Sequence, residues 1–135
     1  MKVSELNGAE LDYWVSQCNP LGRATGERHK LLQHSRGKTC YYVGGGSLRS
    51  IFAPSTKWDQ GGPIIHNERI LLSPYKPNWW RAVHIPSGDE DISKLYPGDL
   101  IQPMIAYEAE TPLVAAMRCI VASKFGQEVP PQSKD

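Results

Sequence analysis

The longest apolar run in the chain is Thr111 to Gly126, TPLVAAMRCIVASKFG, where only Arg118, Ser123 and Lys124 interrupt the apolar residues between the flanking threonine and glycine. At about 100° per residue those three lie roughly 120° apart around a helix axis, which leaves no wide face for water. Signals frame the run. Thr111 can accept from the first free N–H groups, Pro112 suits the first helical position, and Gly126 can take the left-handed conformation that closes a helix. The pattern predicts a central helix, hydrophobic nearly all round, covered by other elements of the chain or by a second subunit. It is too short to cross a bilayer, which takes about 20 residues. Lys124 falls in the last turn, where its charge suits the helix dipole. Arg118 sits mid-helix and calls for a carboxylate partner or an anionic ligand; a structural ion pair is the preferred reading.

A second helical pattern opens the chain. Asn7 to Glu10 has capping-box spacing, with Leu6 and Leu11 placed as a hydrophobic staple. Leu11, Trp14, Val15 and Cys18 then follow at the spacing of one buried face, with Glu10, Asp12 and Gln17 off it, and Asn19-Pro20 ends the helix.

Strand patterns fill the middle. Thr39 to Val43 and Leu48 to Ala53 are β-branched and aromatic, and Gly44-Gly45-Gly46-Ser47 offers a hairpin loop between them. Trp79 to Ile85 alternates, with Trp80, Ala82 and His84 on one side and Trp79, Arg81 and Val83 on the other. Leu100 to Tyr107 is strand-like, with Pro103 confining it to an edge or a bulge. Leu21 to Lys38 is polar and basic, with a short helix from Glu27 to His34. Pro54 to Ile65 is rich in turn formers and reads as an ordered loop. Asn67 to Leu72 is a short helix or an extended segment, Pro74, Pro77 and Asn78 form a rigid connection, and Ser87 to Ser93 is a solvent loop. Together these predict an α+β fold. A single domain over residues 1–126 packs a short, mainly antiparallel sheet against the C-terminal and N-terminal helices, with Trp14, Met117, Ile120 and Val121 in one core. The tail, residues 127–135, lacks core material and is expected to fray.

A chain of 135 residues can bury a core without disulfides or metal. Its net charge of +1 gives no global reason to expect nucleic acid or an acidic membrane. The distribution is uneven, however. From Leu21 to Ser50, Arg23, Arg28, Lys30, Arg36, Lys38 and Arg49 face only Glu27; from Pro86 to Glu110, Asp89, Glu90, Asp91, Asp99, Glu108 and Glu110 face only Lys94. Mutual attraction of the two segments is preferred to a dedicated patch. Nucleic-acid binding through the basic 21–50 segment, with Tyr41 and Tyr42 as stacking faces, is the alternative. Cys18, Cys40 and Cys119 are odd in number and widely spaced, which suits a reducing compartment, and Cys18 and Cys119 fall on apolar helical positions as small buried side chains. The N-terminus has no apolar stretch behind a basic start, so a cytoplasmic protein without a membrane span is expected.

His29, His34, His66 and His84 show neither HExxH nor zinc-finger pairing with cysteine, so no metal is expected. No GxSxG elbow, GxGxxG turn or EF-hand loop occurs, and no cofactor is expected; the glycine run at 44–46 lacks the lysine of a phosphate loop. Asp59, Glu68, Asp99 and Glu108 are carboxylates of the kind any surface carries. The candidate ligand site is Trp58, Asp59, Gly61 and Gly62 with Arg118. If that loop folds over the central helix, Asp59 can pair with Arg118 and leave other donors free for a carboxylate or phosphate. The preferred reading is plainer: Gly61-Gly62-Pro63 makes a tight turn that Trp58 covers.

Three pieces, SELNGAELDYWV, PSTKWDQGGPII and TPLVAAMRCIVASKFG, resemble the NinX-like family, small proteins encoded by tailed phages and prophages and named for the nin region of lambdoid phages. The resemblance spans most of the chain and departs at Leu21 to Lys38 and Ser87 to Gly98. It implies the cytoplasm of an infected bacterium and brings no catalytic residue. The expected function is therefore an accessory protein that binds a host or phage protein, or itself as a homo-oligomer. A small-molecule site at Trp58 to Pro63 and nucleic-acid binding through 21–50 are the alternatives.

Overall fold

The computed structural model describes residues 1–18, 28–34, 37–43, 51–84 and 105–130. Helices α1 (Gly8–Cys18), α2 (Trp58–Glu68) and α3 (Pro112–Phe125) alternate with strands β1 (Arg28–His34), β2 (Gly37–Val43), β3 (Ile70–Pro74), β4 (Trp80–His84) and β5 (Ile105–Ala109). Strands β3, β4 and β5 form one antiparallel sheet in that order, and β1 pairs antiparallel with β2. The result is a single α+β domain.

The central helix is where its apolar run predicts. Thr111 Oγ1 accepts from Val114 N at 3.2 Å, and Pro112 opens the first turn. Leu113 and every residue from Ala115 to Ala122 are buried, because all three strands of the sheet, α1, α2 and the turn at Val3–Glu5 pack against this helix. Met117, Ile120 and Val121 are almost inaccessible, and each such side chain contributes about 1.5–3 kcal/mol by leaving water. The helix is thus covered within one chain, and its girth does not require a second copy. Trp14 is half-buried and meets Phe125 edge-on, with ring centroids 5.2 Å apart. Leu6 and Leu11 are both buried, as the staple requires.

Four expectations are corrected. Gly126 has φ 86 but ψ −162, so the chain does not curl into a left-handed cap but leaves extended. That exit feeds the second difference: residues 127–130 are ordered against the N-terminus. Val3 N donates to Gln127 O, Val129 N to Met1 O and the terminal ammonium to Val129 O, each at 2.9 Å, and Val129 is buried. Backbone pairing with another segment leaves no mark in side-chain hydropathy, so the tail read as frayed; 131–135 lie outside the described residues. Third, Arg28–His34 is a strand, with Leu31 opposite Cys40, not a helix. Of the pairing expected between the strand at Thr39 to Val43 and Leu48 to Ala53, the described residues show a bridge between Tyr41 and Ile51 and a bond from Phe52 N to Cys40 O at 2.9 Å; Leu48 to Ser50 lie outside them. The glycine run, the acidic loop at Ser87 to Ser93 and Pro103 lie outside the described residues.

The fourth correction is α2. The segment read as a loop or turn is helical through Gly61, Gly62 and Pro63, residues that disfavour a helix interior. Tertiary docking overrides them. Gln60 Oε1 accepts from Ala53 N at 2.6 Å while its Nε2 donates to Ile51 O at 3.0 Å, which clamps the first turn to the preceding segment. Gly61 lets that turn approach closely: a Cβ there would stand 2.5 Å from Pro54 O and 2.6 Å from Leu113 Cδ2, whereas one at Gly62 would meet nothing within 4 Å. Helix propensity favours alanine over glycine by about 1 kcal/mol, but overpacking against a backbone oxygen costs about 1–3 kcal/mol. Gly61→Ala is therefore expected to lower the melting temperature and Gly62→Ala to raise it slightly. Equal shifts for the two variants would refute the packing argument.

Candidate functional site

The residues singled out by sequence do not converge. Trp58 is 55% exposed at the start of α2, Asp59 beside it is exposed, and Gly62 is half-buried. Gly61 packs on Leu113 of α3, and Arg118 lies five positions further along that helix, roughly 140° around its axis. No ion pair joins Asp59 to Arg118. The guanidinium donates from Nε to Leu6 O at 3.0 Å, from Nη1 to Glu108 O at 3.1 Å and from Nη2 to Asn7 Oδ1 at 2.8 Å. The carboxylate partner expected for Arg118 is thus replaced by three neutral oxygens. Asn7, read as a cap residue, also ties α1 to α3. Burial lowers the Arg118 pKa, yet a guanidinium stays charged in proteins.

The described ion pairs run elsewhere than between the two charged segments. Lys38 meets Glu10 of α1, and Arg81 meets Glu108 across the sheet.

A second cluster lies in the core. Asp12, placed on the polar side of α1 by its spacing, is buried, and its Oδ1 accepts from Ser55 N at 2.8 Å. Burial raises its pKa to about 6, with Ser55 opposing. Cys40 is buried close by, its thiol pushed up to about 12 by desolvation and then by the Asp12 charge. The Ser55 hydroxyl is buried without a hydrogen-bond partner among the described residues. A carboxyl, a hydroxyl and a thiol together suggest nucleophilic catalysis, but each is 3% exposed or less. The thiol is held protonated, which is the unreactive form. This cluster fastens α1 to the segment before α2. Cys119 is equally sealed, with its thiol pushed up to about 12 by burial.

A third group of side chains stands on the hairpin joining β3 to β4. Its strands run in register from Ile70 opposite His84 to Pro74 opposite Trp80. The turn is closed by Tyr75 N to Trp79 O at 3.1 Å and Trp79 N to Lys76 O at 2.8 Å. Pro77 fixes one backbone angle, and Asn78 takes φ 66, which a short amide side chain tolerates. On this rigid frame Tyr75 stands 47% exposed. The Arg81 guanidinium covers one face of its ring, 4.2 Å from the centroid, while Nε and Nη2 donate to Glu108 Oε1 at 3.1 and 2.9 Å. Arg81 and Glu108 are direct cross-strand partners, so that charge is matched. Lys76 Nζ lies 5.3 Å from the Trp79 ring centroid and 5.8 Å from that of Tyr75, with no carboxylate partner among the described residues. Residues Pro74 to Trp80 line a hollow of about 520 Å³. Sequence reasoning saw only a rigid connection here. The signal it passed over is aromatic and basic residues alternating between prolines in PYKPNWWR.

Among the described residues no helix is long and apolar enough to cross a membrane, and no group of histidine, cysteine or carboxylate side chains is placed to hold a metal. The model of the family described as Bacteriophage P22, NinX matches residues 2–124 of the chain. None of the curated proteins compared with it matches.

Proposed function

Since the chain belongs to the bacteriophage P22 NinX family, it is a phage-encoded accessory protein, and we propose that it acts in the cytoplasm of the bacterial host by binding a host or phage partner through the β3–β4 hairpin. One observation carries this reading: reactive and recognising groups are segregated. Asp12, Ser55, Cys40 and Cys119 are sealed in the core, beyond reach of a substrate. Tyr75, Lys76 and Trp79 are instead presented at the surface by a turn that prolines and backbone hydrogen bonds hold in one shape. A surface preorganised in this way loses little conformational entropy on binding, and tyrosine, tryptophan and arginine, here Tyr75, Trp79 and Arg81, are the types that dominate recognition.

The test is site-specific crosslinking in infected cells, with a photoreactive phenylalanine analogue in place of Tyr75. A discrete adduct is expected, absent when the same analogue replaces exposed Asn67 on α2. No adduct, or the same pattern from both positions, would remove the hairpin as the binding surface.

A further inference from the structure

We infer that the hairpin's partner is single-stranded nucleic acid, with bases stacked on the Tyr75 and Trp79 rings and a phosphate held by Lys76. The inference rests on the reading of this hairpin as the binding surface and names the chemistry it recognises.

The argument begins with charge. Arg81 is neutralised by Glu108 through two hydrogen bonds, which leaves Lys76 as the hairpin cation without a carboxylate partner among the described residues. Its ammonium lies within reach of both rings, 5.3 Å from one centroid and 5.8 Å from the other. A proline-rich peptide docks by inserting prolines between aromatic walls and brings no anion for the Lys76 ammonium, whereas a phosphate draws that exposed side chain off the rings and frees their faces for bases. The complement of that arrangement is a ligand with an anion and a flat apolar face in each repeating unit, which describes a nucleotide. Proteins that bind single strands combine aromatic platforms with basic groups along the backbone. The hollow lined by Pro74 to Trp80 is wide open to solvent, as a surface that an extended strand lies across must be.

Single strands are favoured over duplex because an aromatic ring can stack only on a base whose face is free. Arg81 covers one face of Tyr75 and stiffens it, so the remaining exposed surface is presented in a fixed orientation. This surface is distinct from the basic 21–50 segment, where Lys38 is engaged by Glu10.

The experiment measures fluorescence anisotropy of a labelled oligothymidylate titrated with the full chain, beside the corresponding duplex and an acidic proline-rich peptide. Binding of the single strand at low salt, weakening as salt rises, is expected. Tyr75→Ala and Trp79→Ala should each weaken it by about 5- to 150-fold, the range for loss of one stacked base. Lys76→Gln should flatten the slope of log affinity against log salt by about 0.7, the value for one phosphate contact on a single strand. Trp79 is half-buried and its loss can disturb the turn, so exposed Lys76, whose replacement is expected to leave the melting temperature unchanged, is the deciding position. No binding at low salt, preference for duplex, capture of the peptide alone, or binding untouched by Lys76→Gln would overturn the inference. If the Tyr75 crosslink yields a protein adduct while the oligonucleotide is ignored, only this inference falls. If there is neither adduct nor binding, the hairpin reading falls with it.

Discussion

Replacing Arg118 by alanine is expected to cost about 2–4 kcal/mol of folding stability, from buried acceptors left without their donor, a large share of the 5–15 kcal/mol typical of a domain. The side chain is 9% exposed and ties three segments together. Leu6 O and Asn7 Oδ1 belong to the entry of α1, and Glu108 O belongs to β5. Removing the guanidinium leaves those oxygens without their donor, at about 1–3 kcal/mol for each that water cannot reach. It also opens a gap in the helix core. Arg118→Lys should recover less than half of the loss, because a single ammonium cannot reproduce a planar fork aimed at three separate acceptors. Urea denaturation checks both, read as a fall in midpoint at unchanged slope. A loss below about 1 kcal/mol for the alanine variant would show that the three bonds do not tie these segments together.

What was legible in the sequence divides along physical lines. The central helix, the α1 staple and the strand at Trp80–His84 were readable because their stability comes from a local period of apolar side chains, which the letters display. Helix α2 was not, because its glycines and proline argue against it locally. The favourable contacts are remote: Gln60 clamps the backbone of Ile51 and Ala53, and Gly61 lets the turn press on Pro54 and Leu113. The ordered segment after Gly126 rests on backbone pairing with Met1 and Val3, which is blind to side-chain identity. Strand β1 was hidden because its Leu31 and Leu32 fit a helix as well as a strand, and only pairing with β2 decides between them.

The candidate site follows the same division. Arg118 was recognisable as a buried charge needing partners, but which oxygens it meets depends on how α1 enters the fold. Trp58 and Asp59 drew attention by type, and three-dimensional placement left them on the surface. The hairpin could have been found from Arg81 and Glu108, had the register that makes them cross-strand partners been known. Asp12 was invisible, since its acceptor role is to a backbone N–H 43 positions away.

That buried carboxyl is the source of the other large effect. Asp12→Asn is expected to stabilise the protein at neutral pH and to lose that advantage in acid. The folded-state pKa of Asp12 is raised from 3.8 to about 6, so the native state binds the proton more tightly than the unfolded chain does. Linkage then fixes the sign. The stability associated with this group is greatest below about pH 4, falls as pH rises toward 6, and is flat above it. Two pKa units correspond to roughly 3 kcal/mol, the energy of holding a desolvated carboxylate against the favourable Ser55 N–H. Asparagine keeps an oxygen for that N–H and has the same shape, but carries no charge to desolvate. Its gain at pH 7.5 should be about 1–3 kcal/mol, the lower end allowing for the weaker neutral hydrogen bond. The decisive quantity is the difference between variant and wild type, because acid titration of other carboxylates cancels from it. Thermal or urea unfolding at several pH values should show that difference shrinking toward zero between pH 6 and pH 4. Asp12→Ala should instead destabilise at every pH, since it strands the Ser55 N–H in the core. A constant difference across the range for Asp12→Asn would mean that the Ser55 bond offsets the burial of the charge in full, leaving the folded pKa at its unfolded value.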